Sequence, residues 1–90
     1  MTMMKISKKT KAILSTLNYL VDRIPDSVLR FSARKVPHIV IDHKYSICWF
    51  AIAKEYRVWE GYGTPQNKKI AVLKKPQEVI ELFKKLRGNQ

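Results

Sequence analysis

Between Lys8 and Ile24 the apolar positions of KKTKAILSTLNYLVDRI recur at Ile13, Leu17, Leu20 and Ile24, with Leu14 and Val21 widening the same stripe. This spacing predicts an amphipathic helix packed along one side. Ser7 is placed to cap its start. Pro25 is placed to stop it, because proline has no backbone N–H to donate and disfavours helical geometry in the residue before it. Beyond it, Asp26 or Ser27 can cap a second, shorter helix reaching about Lys35, with Val28, Leu29 and Phe31 facing inward.

At Val36 the pattern changes to short runs of β-branched and aromatic residues. VPHIVI, YSICWFAI, EYRVWEGY and KKIAVL read as four consecutive strands. Asp42 to Lys44 would make the first turn and Ala53 with Lys54 the second. Between the last two strands GYGTPQNKK is too long for a tight turn and polar enough to move, which makes it a candidate contact loop. KKPQEVIELFKKLRG closes the chain as a helix, with Pro76 at its first position, Glu78 in the first turn, basic residues in the last and Gly88 to end it. The order predicts an α+β fold: two N-terminal helices, a four-stranded antiparallel meander and a C-terminal helix packed on one sheet face. With no internal repeat and no dividing linker, residues 1–90 read as a single small basic domain whose residues 1–6 are disordered.

Six of the nine aromatic residues fall in YSICWFAIAKEYRVWEGYG, residues 45–63. They are either the interior of the domain or a surface on which flat groups stack. Alternation along the third run puts Tyr56, Val58, Glu60 and Tyr62 on one side and Glu55, Arg57, Trp59 and Gly61 on the other. If Val58 marks the packed side, Arg57 and Trp59 share the open one, where an indole and a guanidinium could hold a base and its phosphate. In the second run both sides are apolar, and Trp49 and Phe50 point opposite ways, so at least one of them is expected in the core.

Charge narrows the choice of partner. Eighteen Lys and Arg against seven Asp and Glu give a formal +11, with net charges of +6 over residues 1–35, +2 over 36–73 and +3 over 74–90. Such an excess suits a polyanion, because each cation placed against a phosphate releases condensed counterion. Acidic proteins and membrane surfaces compete for the same charge, but no run has the length of a membrane span. The single cysteine, Cys48, excludes an internal disulfide framework and fits a reducing compartment, hence a cytoplasmic protein.

Catalytic signatures are thin. His38 and His43 tend to opposite faces and lack a third metal ligand, and there is no phosphate-binding glycine motif, magnesium carboxylate cluster or serine nucleophile motif. No metal or cofactor is expected. Length, charge and helix-then-sheet order are similar in outline to the small basic ribonuclease toxins of the RelE-type superfamily. That resemblance implies metal-independent RNA cleavage, here by His38 or His43 acting with Arg57, a lysine or a tyrosine, although no catalytic motif of that family aligns. A helix-turn-helix reader would place residues 26–35 in the major groove through Arg30, Arg34 and Lys35.

The sequence favours a non-catalytic accessory factor for single-stranded DNA or RNA. Its expected contacts are Trp59 and Tyr62 as stacking platforms, Arg57 as a stacked or phosphate-paired cation, and Lys68, Lys69, Lys74 and Lys75 on phosphates. The alternative outside nucleic acid is an adaptor subunit docking on a larger replication, transcription or translation partner.

Overall fold

The computed structural model describes residues 8–88. The expected cap at Ser7 and disorder of residues 1–6 lie outside the described residues. Helix α1 (Lys8–Val21) is followed by strands β1 (Ser27–Phe31), β2 (Pro37–Ile41), β3 (Tyr45–Phe50), β4 (Glu55–Glu60) and β5 (Lys68–Leu73), and then by helix α2 (Pro76–Gly88). The strands form one antiparallel sheet in the order β1-β2-β3-β4-β5, a five-stranded meander. The α+β class and the four expected strands are present.

The second N-terminal helix is not. Residues 27–31 are an edge strand, paired in register with β2 from Ser27 opposite Ile41 to Phe31 opposite Pro37. As a strand, SVLRF turns Leu29 onto the core and leaves Val28 and Arg30 outward, and it shields β2, all five of whose residues are buried. The capping signal at Asp26 and Ser27 serves a different end. Asp26 adopts a left-handed conformation (φ 61°), and the Ser27 hydroxyl donates to the Ile24 carbonyl at 2.6 Å, closing the end of α1. The chain turns from β1 to β2 over Ser32–Val36, where Lys35 is left-handed (φ 62°) and Ser32 Oγ accepts from the Val36 N–H. Residues 26–35 therefore offer no recognition helix, which removes the helix-turn-helix reading.

The turn expected at Asp42 to Lys44 is present, with Asp42 and His43 both left-handed and the Lys44 N–H donating to Ile41 O. Lys54 (φ 53°) turns β3 into β4.

Leu17, Leu20 and Ile24 from the α1 side, and Val79, Ile80 and Phe83 of α2, bury against Ile39, Ile41, Tyr45, Ile47, Tyr56 and Val58. These strand residues lie opposite one another in the ladder, so they share one face of the sheet, and both helices cover that face. Phe83 meets Tyr45 edge to face, with ring centroids 5.3 Å apart. Truncating a buried ring of this kind costs about 3–5 kcal/mol, a large part of the stability of a small domain. At the start of α2, Glu78 Oε1 accepts from the Lys75 N–H, the glutamate half of a capping box, which satisfies an otherwise free donor. Its far end is tied down by Arg87, which donates to Pro25 O at 2.6 Å and forks onto Asp42 at 3.2 and 3.3 Å. No helix among the described residues is long and apolar enough to cross a membrane.

Candidate functional site

With both helices on one face, the opposite face of the sheet presents Val28, Arg30, His38, Val40, Ser46, Cys48, Phe50, Glu55, Arg57, Trp59, Lys69 and Val72. The crowded aromatic stretch is divided between the two. Tyr45, Trp49 and Tyr56 go to the helix side, where Trp49 and Tyr56 lie 4.6 Å apart between centroids. Phe50 and Trp59 go to the other.

Val58 is fully buried under the helices, and alternation then sends Arg57 and Trp59 to the uncovered side. The rings of Phe50 and Trp59 lean together there, with centroids 6.2 Å apart at 48°. Arg57 sits over Phe50, its Cζ 3.8 Å from the ring centroid. Glu55, two residues earlier on the same face, accepts from Arg57 Nε at 2.6 Å and from Lys74 Nζ at 3.2 Å. The Arg57 bond, followed by that from Lys74, holds the Glu55 carboxyl below the ordinary range. Guanidinium, phenyl ring and indole thus form a continuous row, half-buried and fixed by their neighbours.

The cations are placed unequally. A bulge between Val58 and Trp59 leaves Ile70 as the extra residue of β5, so Lys69 rather than Ile70 lies opposite Trp59. Lys69 is exposed beside the indole. Lys68 lies opposite Glu60, on the helix side of the sheet edge. Lys74 is drawn to Glu55 and to Ala53 O, and Lys75 stands exposed at the start of α2.

Tyr62 has a different setting from Trp59. Its N–H and that of Gly61 both donate to Lys44 O, and its hydroxyl lies 3.4 Å from His38 Nε2, with ring centroids 5.8 Å apart. The side chain thereby reaches β2. His38 Nδ1 lies 3.1 Å from Val36 O, so both ring nitrogens are engaged and the residue is 8% exposed. The loop after Gly61 winds through turns closed by Thr64 and Asn67 N–H bonds.

Phe50 also lines a groove of about 520 Å³ at the end of the sheet, with Lys9, Ile13, Val36, Trp49, Ile52 and Arg57. Ile52 there is 90% exposed. Cys48, on the open face, has its thiol pushed up by burial, which disfavours the reactive thiolate. Among the described residues no three His, Cys, Asp or Glu side chains gather in a way that could hold a metal ion.

Phe50 and Glu55 were not among the expected contacts. Glu55 could have been found from its two-residue spacing to Arg57 on one strand, whereas Phe50 needed the β3–β4 register. Comparison with protein-family models, with curated proteins and with solved structures returns no match for this chain.

Proposed function

We propose that the protein binds single-stranded nucleic acid on the sheet face that the helices leave uncovered. The observation that carries this reading is the row of Arg57, Phe50 and Trp59 on that face, beside Lys69, in a chain of net charge +11. Bases stack on Trp59, a contact open to single strands and closed to paired ones, while Phe50 supports the Arg57 guanidinium. Lys69, across from the indole, supplies the nearest phosphate contact, with Lys74 and Lys75 beyond it, while Lys68 points to the helix side and meets a phosphate only around the sheet edge. Tyr62, tied to His38, borders the platform. A non-catalytic accessory role fits the burial of His38 beneath Tyr62, which leaves that residue ill placed to reach a substrate as a general base.

Fluorescence-anisotropy titration against single- and double-stranded DNA and RNA at two salt concentrations tests the reading. Single strands should bind more tightly than duplexes, and with about five phosphates neutralised log affinity should fall against log salt with a slope of roughly 3.5 in magnitude. Failure to bind any oligonucleotide at low salt would overturn it.

One observation favours a second reading. The end groove is walled by Ile13, Trp49 and Phe50 and edged by exposed Val36 and Ile52, a surface suited to an apolar side chain of a protein partner. Co-purification with one stoichiometric protein in the absence of nucleic acid would support such an adaptor role.

A further inference from the structure

Arg57 is held so that one edge of its guanidinium is left for a ligand. Glu55 takes Nε at 2.6 Å and Phe50 lies under Cζ at 3.8 Å, while neither terminal nitrogen has a hydrogen-bond or ion-pair partner among the described residues. Direction and position of the two-donor fork are thereby set before any ligand arrives. Such a fork matches two acceptors lying side by side, as in a phosphate or in the O6 and N7 edge of guanine.

The indole decides between them. Glu55 is shared by Arg57 and by Lys74 at 3.2 Å, so the three groups together stay cationic and do not by themselves turn a phosphate away. A base edge, unlike a phosphate, can meet the fork and a ring plane at once. Trp59 lies two residues along the same strand face, about 7 Å away, and offers the plane on which the base would stack. Thymine has no two adjacent acceptors, and adenine presents a donor where guanine has O6, so neither can accept both bonds, whereas unpaired cytosine can offer O2 and N3. We infer that this face selects guanine over thymine and adenine within a single strand, reading its O6 and N7 with the Arg57 fork. The inference rests on the single-strand reading above and adds a base preference to it.

The test uses oligothymidylates of one length carrying no guanine, one isolated central guanine, or 7-deazaguanine at that position, which keeps O6 and lacks N7. Titrated at one salt concentration, the guanine strand should bind roughly tenfold more tightly than the all-thymine strand, the size of one good bidentate contact. The 7-deazaguanine strand should lose most of that gain. In Arg57→Met, which keeps a long side chain and has no donor, the guanine-to-thymine affinity ratio should fall towards one. Equal binding of all three strands by the parent protein would overturn the guanine inference and leave single-strand binding standing. Absence of binding to any strand would overturn both. The three-strand comparison needs only the parent protein, so it decides the matter even if the variant folds poorly.

Discussion

The guanidinium carbon of Arg57 lies 3.8 Å from the centroid of the Phe50 ring, joining the middle of β4 to the last residue of β3. An Arg on an exposed strand would sample many rotamers. Here the ring below and Glu55 beside it limit those rotamers, so less freedom is lost when a ligand binds. The row of side chains is organised in advance, and its consequences can be measured one residue at a time.

Trp59→Ala should weaken binding of a single strand by about 1–3 kcal/mol while leaving the fold intact, because Trp59 is only half-buried. Trp59→Phe, which keeps an aromatic face, should recover part of the loss. Unchanged affinity in a folded Trp59→Ala protein would remove the indole from the interface.

Glu55 gives the protein an acid-sensitive element. Its folded-state value is lowered, so the stabilisation is fully present above the ordinary glutamate value of about 4.3 and is lost as pH falls through the lowered one. Glu55→Gln should therefore reduce Tm at neutral pH and flatten the fall of Tm below about pH 4. An acid limb equally steep in parent and variant would contradict this.

The sequence carried the meander and the division of its faces further than it carried the edges. Val58 as the inward marker, with Arg57 and Trp59 opposite, could be read from alternation alone, since a period of two leaves no other choice once one residue is buried. Residues 26–35 misled because Asp26, Ser27 and the apolar Val28, Leu29 and Phe31 satisfy a helix start as well as an edge strand. Pairing with β2, a long-range relation, decides between them. The bulge at Val58 and Trp59 is equally silent in the sequence, yet it sets Lys69 across from the indole. Tyr62 could be placed near the loop but not upon His38, which is 24 positions away in the chain.

Arg87 joins α2 to the α1–β1 connection and to the β2–β3 turn. With its side chain 24% exposed and that of Asp42 47% exposed, the ion pair is screened, and much of the value lies in the bond to Pro25 O. Arg87→Ala should cost about 1–2 kcal/mol. Asp42→Asn should cost less, because the Pro25 contact survives. Thermal melts resolve the order, since about 4–8 °C of Tm accompanies each kcal/mol in a domain of this size.

The two glycines of the β4–β5 loop should differ in their tolerance of a side chain. At Gly61 (φ 90°) a Cβ would lie 2.8 Å from Gln66 O and 3.1 Å from Asn67 Cα, both backbone atoms that cannot swing aside. At Gly63 (φ 76°) a Cβ meets nothing within 4 Å, so alanine there carries only the left-handed strain of about 1–2 kcal/mol. Urea midpoints should fall further for Gly61→Ala than for Gly63→Ala, and the reverse order would show that the loop is arranged differently.

The two tryptophans provide the most direct test, because Trp49 packs among the core residues and Trp59 stands on the uncovered face. Each indole N–H gives its own NMR resonance, to be followed while a short single-stranded oligonucleotide is added. The Trp59 signal should shift progressively and saturate together with the anisotropy, while that of Trp49 moves much less. A Trp59 resonance that stays in place as the strand binds, or a response confined to Trp49, would contradict the proposal that this face is where bases stack.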